Sequence, residues 1–189
     1  MDSYYSAEEL KTIGFARMGE DLHISRKASI YGAEKIHLGS HVRIDDFVYL
    51  SGGAGIYIGD YVHIAVGSCL YGKWGIRIGS FVNVSGRVSI YSTSDDYSGD
   101  YMCGPMVGDE YIHDIGREVV IEDDVIIGAG SVILPGAYLR EGCAIGTLSM
   151  IKTDTEPFTI YAGCPAVKVK VRSKGQLQLK ARLLEQEKQ

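Results

Sequence analysis

The stretches IGDYVHIAVGSCL (residues 58–70) and IEDDVIIGAGSVILPGAYL (residues 121–139) decide the fold, because an aliphatic residue recurs in both at every sixth position. The same spacing runs through most of the chain, and its aliphatic positions, called anchors below, are Leu38, Ile44, Leu50, Ile58, Ile64, Leu70, Ile78, Val84, Ile90, Ile121, Ile127, Ile133, Leu139, Ile145 and Ile151. Four positions after many anchors stands a small or β-branched residue, such as Val62, Ser68 or Cys143. A six-residue period fits neither an isolated helix nor a simple hairpin, but it is typical of a solenoid built from short strands and corners.

Three such units close one triangular coil, in which the anchors point into the interior and neighbouring coils cover each other's apolar edges. Leu38, Ile58 and Ile78 are spaced by 20 residues, two more than three units require. The extra residues fall in segments 51–55 and 71–75, where glycine permits a bulge at one corner. The sequence therefore predicts an all-β solenoid of six or seven coils.

The solenoid domain is expected to span residues 22–172, and the two ends depart from its repeat. Ser6 and Glu9 have the spacing of a capping box, which predicts a short helix within the N-terminal segment 1–21. Leucine and alanine at helical spacing in residues 173–189 predict a C-terminal helix that closes the prism.

Composition limits the possible functions. The chain has 189 residues, of which 46% are hydrophobic and 23% charged, as expected for a folded domain, and its net charge of −5 argues against a dominant nucleic-acid footprint. Apolar runs are too short for a membrane span, and the first residues lack a signal-peptide pattern. The four cysteines lack CxxC spacing and are too few for a disulfide scaffold. We therefore expect reduced thiols, no bound metal and a cytoplasmic location.

Together with YAGCPAVKVKVR (residues 161–172), the repeats resemble those of the hexapeptide-repeat acyltransferases. The resemblance covers nearly the whole chain and implies a left-handed parallel β-helix, a homotrimer with active sites between subunits, and an acyl-CoA co-substrate, with acetyl-CoA the leading choice. Segments YYSAEELKTIGF (4–15) and VSGRVSIYSTSDDYSG (84–99) are most similar to acyltransferases of nucleotide-linked amino-dideoxy sugars. This narrower similarity implies N-acylation of a sugar amine in surface-polysaccharide or O-antigen biosynthesis.

The one long interruption of the repeat, residues 94–117, is polar and is predicted to be an inserted loop. Long loops in compact repeats often carry function, although a tolerated surface insertion is the alternative. Many O-acetyltransferases and antibiotic acetyltransferases of this family carry a histidine just before this point, acting as general base toward a hydroxyl. Here that stretch has no histidine, and the loop's only one is His113. An amine attacks a thioester without such a base, so the departure favours an amine acceptor.

By resemblance, Asp95 and Ser85 lie beside the acceptor nitrogen as catalytic residues. A carboxylate at Asp95 would stabilise the positive charge that develops on the attacking amine. Asp96 and Tyr97 are assigned to acceptor binding, although the segment DDYSG (residues 95–99) could equally be an aspartate-rich turn without a binding role. His63, one residue before an anchor, is predicted at a corner facing the groove between subunits, as an acceptor ligand or base; an ordinary surface histidine is the alternative.

The resemblance also implies that coenzyme A binds on the C-terminal coils, with Ala129 and Thr147 along the pantetheine and Lys152 near the nucleotide end. Pro165 is expected to flank the adenine. In VKVKVR the cations Lys168, Lys170 and Arg172 alternate with valines, which predicts that they share one face. The resemblance implies that Lys170, and secondly Lys168, bind the coenzyme's phosphates. The alternative is a solubilising edge strand.

The sequence is also compatible with three other functions. One is sugar O-acetylation with His63 or His113 as base. Another is a carbonic-anhydrase-like activity, which occurs on the same prism but needs three histidine ligands, whereas His113 is the only histidine after His63. The third is a non-catalytic scaffold, which the coenzyme-type C-terminus disfavours.

Overall fold

The computed structural model describes residues 3–187, and the two residues at each end lie outside it. It contains 21 short strands and two α-helices. The strands are β1 Leu22–Ile24, β2 Ser29–Tyr31, β3 Ile36–Leu38, β4 Val42–Ile44, β5 Tyr49–Ser51, β6 Ile56–Ile58, β7 Val62–Ile64, β8 Cys69–Tyr71, β9 Ile76–Ile78, β10 Asn83–Val84, β11 Ser89–Tyr91, β12 Thr93–Asp95, β13 Asp114–Gly116, β14 Val119–Ile121, β15 Ile126–Ile127, β16 Val132–Ile133, β17 Tyr138–Leu139, β18 Ala144–Ile145, β19 Met150–Ile151, β20 Thr159–Gly163 and β21 Ala166–Val171. The helices are α1 Ala7–Ile13 and α2 Gln176–Gln186.

Parallel strands stack into the three faces of a prism. Face A contains, in order, β1, β4, β7, β10, β15, β18, β20 and the antiparallel β21. Face B contains β2, β5, β8, β11, β16 and β19, and face C contains β3, β6, β9, β14 and β17. Val42 pairs with Val62 in face A, so one coil advances the chain by 20 residues there. This is the spacing that the anchors predicted.

The interior of the prism is filled by the anchors. All are buried, the most exposed at 4%, and they belong to one apolar cluster. Buried serines among them satisfy their hydroxyls locally: Ser68 Oγ donates to the Ser85 carbonyl at 2.9 Å. Cys143 is fully buried, and burial raises the pKa of its thiol to about 11. It therefore serves as a small core residue, as the repeat predicted.

The extra residues of the 20-residue coils form a tight turn between faces B and C. Gly55 donates its N–H to the Gly52 carbonyl at 2.6 Å, and Gly53 has φ +46°. A Cβ at Gly53 would come within 2.2 Å of the Gly72 carbonyl oxygen in the next coil. Glycine is required here both by the dihedral angle and by the close stacking.

The predicted N-terminal helix is present as α1, and its capping box is complete. Ser6 Oγ accepts from the Glu9 N–H at 3.3 Å, and Glu9 Oε2 accepts from the Ser6 N–H at 2.7 Å. Leu10 is buried against the core cluster, so α1 covers the N-terminal end of the prism.

The C-terminal helix α2 is also present, but the prediction that it closes the prism is wrong. The hairpin β20–β21 reverses the chain, and α2 then lies along the side of the prism beside the edge of face A. Its Lys180 pairs with Asp124 at 2.8 Å and stands over the Phe81 ring, and Glu187 just beyond it contacts Tyr61. No helix within residues 3–187 is long and apolar enough to cross a membrane.

Candidate active site

The insertion does not emerge from the prism as an irregular loop. Strands β12 and β13 form an antiparallel hairpin at its base, in which Asp95 is directly opposite Asp114. Beside this hairpin lies a cavity of about 460 Å³, and two of the predicted site residues, Asp95 and Tyr97, line it. Asp96 does not line the cavity: hydrogen bonds from the Ser98 side chain and from the Ser98 N–H, the latter at 2.6 Å to Oδ1, lower the pKa of Asp96. Its visible role is to hold the turn.

The wall of this cavity combines opposite charges with stacked aromatic rings. Lys73 forms an ion pair with Asp114, so the cavity holds two carboxylates and one ammonium group. Tyr71 and Tyr91 stack in parallel with ring centroids 4.7 Å apart. Partial burial, with Cys69 and Tyr91 as neighbours, raises the pKa of Tyr71 to about 12. Its hydroxyl therefore remains a hydrogen-bond donor throughout the physiological range.

His63 lies on a different surface, and the prediction that it stands at a corner is wrong. It is the central residue of β7, so its side chain points outward from the middle of face A. Its Nε2 is 2.8 Å from Asp45 Oδ2, and its Nδ1 is 3.1 Å from Asn83 Oδ1. Burial alone would raise the pKa of Asp45, but hydrogen bonds from His63 and Arg43 outweigh it and lower that pKa. With both ring nitrogens engaged, His63 must give up a partner before it can accept a proton from substrate.

Ser85 follows β10 and leads into the corner between faces A and B. The next residue, Gly86, accepts at its carbonyl from the Gly130 N–H at 3.0 Å. Gly130 belongs to a cavity of about 450 Å³ that Ala129, Thr147 and Arg87 also line. The structure therefore brings Ser85 to the same corner as two of the residues predicted to contact coenzyme A.

Small residues let successive coils approach closely along this corner. The Leu148 N–H donates to the Ala129 carbonyl at 2.9 Å. A Cβ at Gly128 would lie 2.6 Å from the Thr147 nitrogen. The result is an open track with Leu148 on its outer side, 76% exposed.

The remaining predicted coenzyme residues are near the C-terminal end of the prism. Pro165 occupies the turn between β20 and β21 and follows a cis peptide bond. Lys168 Nζ is 2.5 Å from Glu156 Oε2, and this hydrogen bond raises the pKa of Lys168. Lys170 is exposed opposite Ile160, and Lys152 is exposed just after β19.

The predicted common face for the cations of VKVKVR is only partly present. The pairing of β20 with β21 shifts register between Ile160 and Tyr161. Arg172 turns back to donate to the carbonyls of Asp124 at 2.9 Å and Gly142 at 2.8 Å, so it tethers the chain before α2. Only Lys168 and Lys170 remain as exposed cations on this strand.

Within one chain, five of the predicted residues form two groups. Asp95 and Tyr97 lie at the hairpin cavity, whereas Ser85, Ala129 and Thr147 lie at the corner between faces A and B. Sequence reasoning missed Lys73 and Asp114, which line the hairpin cavity, and Arg87 at the corner. The 20-residue coil length was the usable signal, because it places Lys73 one coil before the start of the hairpin.

The histidine of the insertion is not part of the cavity wall. His113 is exposed and stacks on Tyr101 with ring centroids 5.0 Å apart. Across the described part of the chain, no three His, Cys, Asp or Glu side chains are grouped so as to hold a metal ion.

Comparison with known proteins gives full-length matches. No family model matches the chain. The dTDP-4-amino-4,6-dideoxy-D-glucose acyltransferase of Escherichia coli is 47% identical over 180 residues, covering 95% of this chain and 94% of that protein. The structure of AntD, an N-acyltransferase from Bacillus cereus in complex with dTDP and 3-hydroxybutyryl-CoA, is 41% identical with a TM-score of 0.96 and covers 100% of both chains. An AntD variant with one serine replaced by cysteine, in complex with dTDP-4-amino-4,6-dideoxyglucose and coenzyme A, matches with a TM-score of 0.95 and 41% identity, covering 98% of this chain and 99% of that one.

The prism, its insertion and these matches define the class of protein: the chain belongs to the hexapeptide-repeat acyltransferases. Within that class, it is similar over nearly its whole length to AntD and to the Escherichia coli enzyme. The predicted fold, a left-handed parallel β-helix with short terminal helices and one long insertion, is confirmed. So is the prediction that the protein is an acyltransferase.

Proposed function

We propose that this enzyme transfers an acyl group from acyl-CoA to the amino group of a dTDP-linked 4-amino-4,6-dideoxy sugar. The observation that carries the proposal is the hairpin cavity, which places the carboxylate of Asp95 beside stacked tyrosines and has no histidine among its lining residues. A carboxylate stabilises an amine that becomes positively charged, whereas a hydroxyl acceptor needs a base. The Escherichia coli relative, a dTDP-4-amino-4,6-dideoxy-D-glucose acyltransferase, and the AntD complex with dTDP-4-amino-4,6-dideoxyglucose support the same acceptor class.

In the proposed reaction, the neutral amine attacks the thioester carbonyl, and the new C–N bond forms as the carbonyl becomes an oxyanion. Asp95 stabilises the ammonium charge that develops on the nitrogen. Collapse of the intermediate breaks the C–S bond, and the coenzyme A thiolate takes the surplus amine proton. Ser85 is proposed to hydrogen-bond the acceptor, since it stands at the end of the track where the thioester would lie.

A homotrimer would complete the site. Asp95 and the corner that contains Ser85 and Ala129 lie apart in one chain, so the acceptor residues of one subunit would meet the coenzyme track of its neighbour. Co-assembly tests this directly: Asp95→Asn and Ala129→Trp variants, each with strongly reduced activity alone, should regain part of the activity when mixed and refolded together. Activity of a monomer in sedimentation experiments would contradict shared sites.

On the coenzyme side, Ala129 and Thr147 would flank the pantetheine, and Lys152, Pro165, Lys168 and Lys170 the nucleotide. Acetyl-CoA is the proposed donor, and the AntD complex makes 3-hydroxybutyryl-CoA the second donor to test. Four free cysteines agree with the reducing cytoplasm, where both substrates would be available. Surface-polysaccharide or O-antigen synthesis is the proposed context, because acylated amino-dideoxy sugars are building blocks there.

The decisive experiment measures kcat/KM with acetyl-CoA and 3-hydroxybutyryl-CoA against dTDP-4-amino-4,6-dideoxyglucose and its 4-hydroxy analogue. We expect the amine to be preferred by at least 100-fold. The His63→Gln variant serves as the control for O-acylation and should retain amine activity. Preference for the hydroxyl acceptor, with loss of turnover in His63→Gln, would contradict the proposal and support a sugar O-acetyltransferase.

A further inference from the structure

The base of the inserted hairpin carries an electrostatic conflict. Asp95 and Asp114 are directly opposite each other in the antiparallel pair, so their side chains project from the same side of the hairpin. Both line the cavity beside it. Like charges in this arrangement repel each other, and repulsion would either displace one carboxylate or favour its protonation.

Lys73 resolves this conflict. It comes from the turn between β8 and β9, one coil below the hairpin, and its ammonium group contacts the Asp114 carboxylate. The Asp114 side chain is only 21% exposed whereas that of Lys73 is 56% exposed, so the carboxylate is the more shielded partner of this pair. Lys73 lines the cavity as well, which puts the cation and the two carboxylates around one space.

The residue after Lys73 braces the same hairpin sterically. The Trp74 N–H donates to Ser92 Oγ at 2.9 Å, just before β12 begins. The Trp74 ring lies against Gly116 at the end of β13, so closely that a Cβ there would come within 1.9 Å of the indole. Residues 73 and 74 therefore support both strands of the hairpin from one side.

We propose that Lys73 is a positioning residue for the reaction: it neutralises Asp114, so that Asp95 stays ionised and in place to receive the acceptor amine. Lys73 itself does not need to touch the substrate. The inference rests on the proposed function for the role of Asp95, but its electrostatic part concerns Asp95, Asp114 and Lys73 alone. The other titratable groups that line the cavity are Tyr71, Tyr91 and Tyr97, while Asp96 follows Asp95 in the chain and His113 acts electrostatically on Asp96.

The test is a cycle of three variants. Lys73→Met should lower kcat about tenfold while the KM for the acceptor changes less than threefold, because Asp95 is misplaced and not removed. Asp114→Asn alone should cost little. The double variant Lys73→Met/Asp114→Asn should recover most of the lost kcat, since the repulsion is gone, and Lys73→Arg should retain activity.

A matched control uses another exposed lysine–aspartate pair of this chain, Lys27–Asp46, with a 2.9 Å Nζ–Oδ2 distance and no part in the cavity. Lys27→Met should leave kcat unchanged. If Lys73→Met instead raises the acceptor KM tenfold or more and Asp114→Asn does not rescue it, Lys73 binds substrate directly and the inference is overturned.

A second readout is independent of activity. Carbon-13 NMR of the side-chain carboxyl groups should show Asp95 titrating at higher pH in Lys73→Met than in the wild type. In the double variant, Asp95 should again titrate at the pH seen in the wild type. An inactive wild type on every amino-sugar would overturn the proposed function, while this titration would still support the role of Lys73. An unchanged Asp95 titration in Lys73→Met would overturn the positioning role even if the enzyme acylates amino-sugars.

Discussion

The prism interior and the inserted hairpin are built on opposite physical principles. Inside the prism, each coil repeats the same aliphatic contacts, and every anchor is almost completely removed from water. At the hairpin, most side chains that line the cavity are polar or aromatic, and an ion pair and the contact of the Trp74 ring with Gly116 hold the two strands in position. The prism interior thus stabilises the fold but is closed to substrate, whereas the inserted hairpin carries the proposed acceptor site and is expected to contribute little to stability.

The largest effect is expected from the interior. Leu70→Ala leaves a cavity beneath face B and should lower the free energy of unfolding by about 2–5 kcal/mol. Chemical denaturation followed by circular dichroism measures this change. Leu179→Ala, at a leucine that is 65% exposed on α2, is the matched control and should change stability by less than about 0.5 kcal/mol. Equal effects would remove the basis for separating the two regions.

The hairpin should show the reverse behaviour. Asp95→Asn removes the charge that stabilises the developing ammonium, so kcat should fall about 100-fold, while the melting temperature stays within about 2 °C. Steady-state kinetics and thermal melting on the same preparation check both parts. Asp100→Asn, farther out in the same insertion, should leave both unchanged. A large loss of stability in Asp95→Asn would show that this carboxylate is structural.

Substitutions on β21, which carries Lys168 and Lys170, are expected to have a smaller effect on activity. Lys170→Ala should raise the KM for acetyl-CoA about tenfold, because one charge-assisted contact to phosphate is lost, and leave unfolding unaffected. Lys168→Ala should cost less, since Lys168 is already engaged by Glu156. Dependence of both values on salt would identify phosphate as the group contacted. A larger effect at Lys168 would reverse this assignment.

The smallest effect concerns the N-terminal cap and depends on pH. Hydrogen bonds from Arg26 and Ser6 lower the pKa of Glu9 to about 2. A lowered folded-state pKa contributes stability above the unfolded value of about 4.3, and this contribution is lost as pH falls toward 2. Wild type should therefore melt above Glu9→Gln at pH 6, with the difference vanishing near pH 2. A constant difference across that range would contradict the assignment.

The prism could be predicted from the sequence, because a six-residue period of aliphatic residues is typical of a solenoid built from short strands and corners. All anchors, the α1 capping box and the position of the insertion followed from local spacing. The direction of α2 did not follow, since it depends on the reversal at β20–β21 and on Arg172 binding carbonyls 30 and 48 residues away. The location of His63 was missed because the spacing does not tell the middle of a strand from its end.

The candidate site was predictable only in part. Asp95 and Tyr97 share a cavity, as expected from their neighbouring positions, and Ser85 lies with Ala129 and Thr147 at one corner. Lys73 and Asp114 were missed because their contact joins residues 41 positions apart in sequence, one of them inside an irregular insertion. Such a pair can be predicted only from the coil length of 20 residues, which places Lys73 one coil before the start of the inserted hairpin.

Placing α1 across the first coil also has a consequence for self-association. A stack of parallel coils ends in a strand whose backbone groups are free to pair, and an uncovered end invites another molecule to continue the stack into a filament. Here Tyr5 donates to the Ile24 carbonyl at 3.0 Å and Tyr4 bridges to Ser25, while Leu10 covers the apolar interior. Residues 4–10 thus cap the first coil, which prevents a second molecule from extending the stack at that end.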